Sequence, residues 1–430
     1  MRGATVRTGG AVGNDERMNT AGATVTVVGI GADGWAGLTD PGRAAVQAAE
    51  VLLGGPRQLE LVAGRTKAEQ RPWPSPMLPA LPGLFAELAG RRVCVLASGD
   101  PMLHGVGATL ARVLGPQRLN VLPHPSSVAL ACARLGWAAD TVEVVSAVAR
   151  PLARVRRALA PGARVLVLSA DADTPRSLAP LLVEAGFGPS SMTVFAQLGG
   201  PAETRLDGTA DGWGHAPGDP LNLVAITCRE ATGSRQWGEV PGLPDDAYAH
   251  DGQLTKREVR AVTLAHLAPL PGELLWDVGA GNGSIGIEWL RAHRTCRAVA
   301  VEADPERAAR ITANADALGV PDLGVVHGRA PAALVGLPPP DAVFVGGGVT
   351  SSGVFDACWA ALRPGGRLVA NAVTVEAEAV LAGGLGRLGG ELTRLAVSRS
   401  SPVGRFTGWR PAMPVTIWSV VKHADGGGPP

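Results

Sequence analysis

The segment Trp276-Asp-Val-Gly-Ala-Gly-Asn-Gly-Ser284 joins an apolar run to a helix start through three glycines at alternate positions. Gly279, Gly281 and Gly283 let the backbone approach a ligand closely and take φ values that other residues resist. The helix that follows offers free N–H groups at its N-terminus. The next apolar run, Val299-Ala-Val, ends in Glu302, roughly twenty residues beyond the first glycine, where a carboxylate accepts both hydroxyls of a ribose. Asp304-Pro-Glu-Arg307 then opens a helix, with Asp304 as N-cap and Pro305 in the first helical position. The spacing is G-x-G-x-G, not the G-x-G-x-x-G of a dinucleotide site.

A second glycine turn, Val27-Val-Gly-Ile-Gly-Ala-Asp-Gly34, does match G-x-G-x-x-G, with Glu50 following at a plausible distance. Read by pattern alone it belongs to an NAD-dependent oxidoreductase. Two features oppose that reading. The helix signal, Thr39-Asp40-Pro41, falls several residues past the glycines, so no helix N-terminus meets a pyrophosphate. Glu50 precedes the strand Val51-Leu-Leu-Gly instead of ending it. Two more turns share this half: Leu96-Ala-Ser-Gly-Asp-Pro-Met-Leu-His-Gly105 and Val121-Leu-Pro-His-Pro-Ser-Ser-Val128. His104 and His124 read as residues that bond loop backbone. Asp171-Ala-Asp173 reads as a solvated loop, and no metal site is expected.

These turns need strands to carry them. Short β-branched runs alternate with Ala/Leu/Arg segments, the pattern of parallel α/β domains. In the first half the strands are expected at Thr24–Val28, Arg92–Ala97, Arg118–Leu122, Arg164–Ser169 and Leu221–Cys228, with helices such as Gly105–Leu114 and Ser177–Ala185. A Gly/Pro/polar passage then predicts a linker over 231–247. The second half restarts with a helix over Lys256–Ala268. Strands are expected at Glu273–Val278, Arg297–Glu302, Leu323–Val326, Ala342–Val345 and Arg367–Ala370, and Pro414–Val421 pairs with Leu392–Ser398. The predicted division is a tail over 1–22, one domain over 23–230, a second over 248–423, and a tail over 424–430.

Composition restricts the function classes. The net charge of +1 gives no electrostatic reason for nucleic acid or an anionic membrane. No apolar run is long enough to span a bilayer and none resembles a secretion signal, so a cytoplasmic protein is expected. Five widely separated cysteines suggest reduced thiols, not a zinc site or a disulfide framework.

The second half resembles the class I S-adenosylmethionine methyltransferases: glycine turn, acid-ended second strand, and Pro364-Gly-Gly366 before the fifth strand stand in that family's order. Asp341-Ala-Val-Phe-Val-Gly-Gly-Gly348 stands where nucleic-acid amine methylases carry Asn/Asp-Pro-Pro-aromatic. Leu254-Thr-Lys-Arg-Glu-Val-Arg260, Gly328-Arg-Ala-Pro331, Val345-Gly-Gly-Gly348 and Val369-Ala-Asn-Ala-Val-Thr374 narrow the resemblance to the C15-methylating, C12-decarboxylating domains of cobalamin biosynthesis. The first half resembles the tetrapyrrole methylases (class III methyltransferases) through its opening glycine loop, Gly-Asp-Pro and Pro-x-x-Ser-Ser.

The resemblance implies an α/β protein: a tetrapyrrole-methylase fold of two α/β subdomains with a cleft, followed by a Rossmann-like class I domain. It implies S-adenosylmethionine at two sites. Gly29, Gly31, Gly99, Asp100, Leu103, Ser126 and Ser127 would hold it in the first, and Thr255, Gly279, Ala280, Gly281, Asn282, Gly283, Glu302 and Ala330 in the second. The implied substrate is a polycarboxylate tetrapyrrole, precorrin-6B, methylated at C5 and C15 with loss of the C12 acetate carboxyl. Lys256, Arg257 and Asn371 are the expected substrate contacts. No catalytic acid or base is assigned, and a homo-oligomer, dimer or tetramer, is implied. Alternatives are a cobalt-precorrin methyltransferase, the oxidoreductase above, and an assembly protein with one idle domain.

Overall fold

A computed structural model describes residues 24–423. The tails expected over 1–22 and 424–430 lie outside the described residues. Two compact units result. The first holds residues up to Thr141 together with Phe195–Arg205 and Leu221–Leu223; the second holds the remainder.

The first unit is built on a parallel sheet of β1 (Val25–Ile30), β2 (Val51–Gly54), β3 (Glu69–Pro72), β4 (Val93–Ser98) and β5 (Leu119–Leu122), in the order β3-β2-β4-β1-β5. Its central strands are apolar at nearly every position because both faces are covered. Val25, Val27, Leu53 and Val95 pack into one core, and Val28, Ile30, Leu52 and Leu96 into the other. Strand β1 lies between β4 and β5, parallel to both, with Val27 beside Val95 and Val121. The loops after these three strands therefore emerge at one end of the sheet. Thr39 caps the helix Asp40–Ala48 by accepting from the Gly42 amide at 3.3 Å. Contrary to the expectation that the helix starts only at Thr39, one forms earlier. A single helical turn, Gly34–Gly37, already follows the glycines.

A second five-stranded sheet contains β6 (Val142–Ser146), β7 (Arg164–Leu168), β8 (Ser191–Ala196), β9 (Thr204–Thr209) and β10 (Asn222–Thr227), in the order β6-β7-β10-β8-β9. Strands β3, β6, β8 and β9 were not among the expected ones. Strands β3 and β9 are short and largely exposed, so they lack an apolar run to mark them. Asp171 accepts from the Asp173 amide and the Thr174 hydroxyl, a turn that starts the helix Thr174–Glu184.

The second unit also holds a seven-stranded sheet: β11 (Leu274–Val278), β12 (Arg297–Glu302), β13 (Gly324–His327), β14 (Ala342–Val345), β15 (Arg367–Ala372), β16 (Glu391–Leu395) and β19 (Val415–Val421). The order is β13-β12-β11-β14-β15-β19-β16, with β19 antiparallel to both neighbours. Strands β17 (Ser398–Val403) and β18 (Phe406–Pro411) form a separate hairpin, which sequence reading overlooked. Alternation sorts the buried side chains again. Leu275, Ala300, Phe344 and Val369 face one core; Trp276, Val278, Val345 and Trp418 face the other. The strand order reverses between β11 and β14, which opens a crevice beyond their carboxyl ends. Among the described residues no helix is long and apolar enough to cross a membrane.

Candidate active sites

In the first unit, the seven residues expected to hold a ligand fall at the carboxyl ends of β1, β4 and β5: Gly29 near the end of β1, Ser127 at the start of the helix Ser127–Leu135, and the other five on the loops between. Close packing between those loops explains the glycines. A Cβ on Gly29 would stand 2.3 Å from the Gly99 carbonyl oxygen and 2.8 Å from the His124 Cβ. One on Gly31 would meet Asp33 Oδ1 at 2.6 Å and the His124 ring at 2.8 Å. Gly99 has φ 56°, in the left-handed region. Asp100 accepts from the Met102 amide at 2.8 Å and so shapes its own turn. Ser126 caps the helix Ser127–Leu135, accepting from the Ala129 amide at 3.1 Å. Leu103 is exposed.

His124 does more than bond backbone. Its Nδ1 lies 3.2 Å from the Pro125 carbonyl, and its Nε2 lies 3.3 Å from Asp33 Oδ2. The imidazole thus joins the Pro-His-Pro-Ser-Ser loop to the first glycine loop. Sequence reading singled out the histidine but missed Asp33, which is not adjacent in sequence. Glu50 accepts from the Arg92 amide at 2.8 Å, at the amino end of β2 and away from the glycine loop. Glu50 is therefore not placed to bind a ribose beside the glycine loop, as the dinucleotide reading requires.

The second unit contains a cavity of about 640 Å³ at the carboxyl ends of β11, β12 and β14. That volume suits a nucleoside-sized ligand with a tail. Thr255, Gly279, Ala280, Gly281, Asn282, Glu302 and Ala330 all line it. So do Leu254, Val278, Ile285, Val301 and Phe344, which give it apolar walls. Glu302, 7% exposed, accepts from the Gly281 amide at 2.7 Å and the Asp304 amide at 3.0 Å. Asp304 caps the following helix through the Glu306 and Arg307 amides.

Some expected residues have other duties. Gly283 is absent from the cavity wall. Its φ is 81°, and a Cβ there would lie 2.8 Å from Ile311 Cγ2, so it is glycine for helix packing. The Asn282 carboxamide turns from the cavity towards protein partners: Gln253 O at 2.7 Å, Asp251 Oδ1 at 3.2 Å and Arg310 at 2.8 Å. Lys256, Arg257 and Asn371 do not line the cavity. The Lys256 ammonium lies 3.9 Å from Asp245, Arg257 is exposed, and Asn371 donates to the Thr263 hydroxyl at 3.0 Å. Arginines that sequence reading did not single out do reach the wall: Arg307 and Arg329.

Beneath the cavity, Asp277 is fully buried, with Oδ2 accepting from the Gly286 amide at 2.8 Å. Burial pushes its carboxyl up to about 7, against the lowering effect of that hydrogen bond. The passage expected as a linker is partly docked: the Gly242 and Leu243 amides and the Tyr248 hydroxyl all donate to Glu288, itself paired with fully buried Arg260 at 2.7 Å.

A family model described as tetrapyrrole (corrin/porphyrin) methylases matches residues 24–212, and one described as a precorrin methyltransferase domain matches 246–422. A Sinorhizobium protein named precorrin-6Y C(5,15)-methyltransferase [decarboxylating] is 51% identical over 398 residues, 93% of this chain and 96% of that protein. A Pyrobaculum calidifontis protein named probable cobalt-precorrin-6B C(15)-methyltransferase (decarboxylating) is 37% identical over 183 residues, 41% of this chain and 94% of that one. The crystal structure of the C-terminal domain of a Rhodobacter capsulatus precorrin-6Y C5,15-methyltransferase is 46% identical, covering 43% of this chain and 100% of that domain, with a TM-score of 0.41.

Proposed function

From the chain's membership of the precorrin-6Y C5,15-methyltransferase (decarboxylating) family, we propose a division of labour in which each half binds its own S-adenosylmethionine and performs its own methyl transfer. The protein is a methyltransferase of cobalamin biosynthesis that methylates and decarboxylates a precorrin. In our reading the tetrapyrrole-methylase half methylates C5, and the class I half methylates C15 and removes the C12 acetate carboxyl. The Pyrobaculum relative supports this split, since the C15 and decarboxylating activities are named together on a protein matching only 183 residues here.

The observation that carries the cofactor reading is the second unit's cavity. Its contents fit the group. Glu302 presents a buried carboxylate to a ribose, Val278, Val301 and Phe344 offer apolar walls to an adenine, and Gly279 and Gly281, without side chains, leave room for the tail. S-adenosylmethionine would supply an electrophilic methyl whose leaving group is a neutral thioether, so no acid is needed to assist departure. The task left to the residues is to align methyl and ring carbon, which converts a bimolecular encounter into a positioned one. The macrocycle carbon is an electron-rich nucleophile, and its conjugated ring accepts the electrons released by decarboxylation, so no acid–base triad is required. Arg329, exposed on the wall, with Lys256 and Arg257 beyond it, would bind the substrate carboxylates.

Separate inactivation of the two sites tests the split. With Gly99→Val in the full chain, precorrin-6B and S-adenosylmethionine should yield a product with the C15 methyl and without the carboxyl. With Glu302→Ala the product should carry the C5 methyl and retain its carboxyl. A single variant that abolishes both methyl transfers in a folded protein contradicts two independent sites.

A further inference from the structure

The cavity's outer wall is a strap, Asp251–Thr255, that has no regular secondary structure, and Gln253, Leu254 and Thr255 on it line the cavity. Its position must therefore be set by side chains. At one end, Asn314 accepts from the Ala249 amide and donates to the Ala249 carbonyl. At the other, the Thr255 carbonyl accepts from Arg260. Between them the fastening is Asp251. Its Oδ1 accepts from Asn282 Nδ2 at 3.2 Å and the Gln253 amide at 3.1 Å, and its Oδ2 accepts from Arg307 Nε at 2.7 Å. Arg310 stands 3.7 Å away.

We propose that Asp251 is a positioning residue for the C-terminal methyl transfer, fastening the strap to the glycine turn and holding Arg307 off Glu302, and so setting how tightly the cavity binds its cofactor. This rests on the reading that the cavity takes S-adenosylmethionine.

Two contacts give the reason a carboxylate is needed. Asn282 belongs to the glycine turn, and the same Nδ2 that meets Asp251 also meets Gln253 O, so turn and strap share one clasp. Arg307 lines the cavity as well and feels the charge of Glu302. Without Asp251 its guanidinium is left to pair with Glu302, the carboxylate that should accept the ribose hydroxyls. Arg307 and Asn282 hold the Asp251 carboxyl far below the usual carboxylate range, so the clasp stays charged. Charge-assisted bonds of this kind are the stronger ones.

The test uses the full chain carrying Asp251→Asn, which keeps the shape and removes the charge, and Asp251→Ala. Product mass is followed against S-adenosylmethionine concentration with the tetrapyrrole substrate saturating. The expected result is an apparent KM for cofactor in the C15 step raised about tenfold or more. The C15 kcat at saturation should stay within about twofold of the wild-type value, and the C5 step should be unchanged. Adding Arg307→Gln to Asp251→Asn should make matters no worse, because the two residues act as a pair. A fall in kcat with KM unchanged, or an equal loss in both steps that tracks a lower melting temperature, overturns the proposal. A wild-type chain whose C15 step does not depend on S-adenosylmethionine sinks the cofactor reading instead.

Discussion

Glu302 places Oε2 on the Gly281 amide and Oε1 on the Asp304 amide, so one side chain ties the glycine turn to the end of β12. Glu302→Gln keeps one acceptor and removes the charge that favours two ribose hydroxyls. We expect the KM for S-adenosylmethionine in the C15 step to rise at least about tenfold, the loss of roughly one charge-assisted hydrogen bond. Titration of the C15 step against cofactor measures it. Asp277 gives a stability prediction. Its ordinary value is 3.8 and burial raises it to about 7 in the folded chain. Between those values the native state holds a proton that the unfolded state has released, so stability falls as pH rises from about 4 to 7. The whole effect is at most about 4 kcal/mol. Asp277→Asn retains an acceptor for the Gly286 amide and should flatten this dependence, leaving the variant the more stable at pH 8. Urea unfolding followed by tryptophan fluorescence at pH 5 and 8 would show it, and equal slopes in the two proteins would count against a raised Asp277. At Gly283, alanine meets both the left-handed φ and Ile311, and should cost about 1–3 kcal/mol without changing cofactor contacts directly.

The docking of the passage 242–248 onto the helix Ser284–Ala292 belongs to the scale of elements. Glu288 on that helix accepts four hydrogen bonds, from the Gly242 and Leu243 amides, the Tyr248 hydroxyl and Arg260. Glu288→Ala leaves the buried Arg260 guanidinium with Asp245, at 3.2 Å, as its remaining carboxylate, and breaking a buried pair of this kind costs up to about 3–5 kcal/mol. Equilibrium denaturation of the C-terminal transition should show a loss of that order, with Glu288→Gln intermediate. This docking was not legible in sequence, because Gly-Glu-Val-Pro-Gly-Leu-Pro carries only breaker signals, while its partners lie some forty residues on. Buried parallel strands were legible: β12 and β14 span the residues expected for them, each built on an apolar run. Strand β3 and the β17–β18 hairpin were not, since exposed residues such as Glu69, Arg399 and Trp409 leave no alternation to read. Glycine spacing revealed the loops but not their reasons. Gly279 and Gly281 line the cavity, whereas Gly29 and Gly31 make room for Gly99 and His124, and Gly283 for Ile311.

At the scale of the molecule, the loops of each candidate site lie within a single compact unit, the first among residues 29–127 and the second among 253–373. The first set of loops leaves the sheet β3-β2-β4-β1-β5 and the second leaves the seven-stranded sheet, so the two methyl transfers should be separable by mutation. The family resemblance was legible because the motifs that mark it are local: a glycine turn, Gly-Asp-Pro, Pro-x-x-Ser-Ser and the Thr-Lys-Arg-Glu segment. The surroundings of the expected substrate contacts were not legible, because no local motif marks that Lys256 stands beside Asp245, that Arg257 faces solvent or that Asn371 donates to Thr263. The most direct test of the whole account is mass spectrometry of precorrin-6B incubated with the full chain and S-adenosylmethionine labelled in its methyl group. The account predicts a product with two labelled methyls that has lost one carbon dioxide, with Glu302→Ala reducing this to one labelled methyl and no loss. A wild-type product with a single labelled methyl, or with its C12 carboxyl intact, would contradict it.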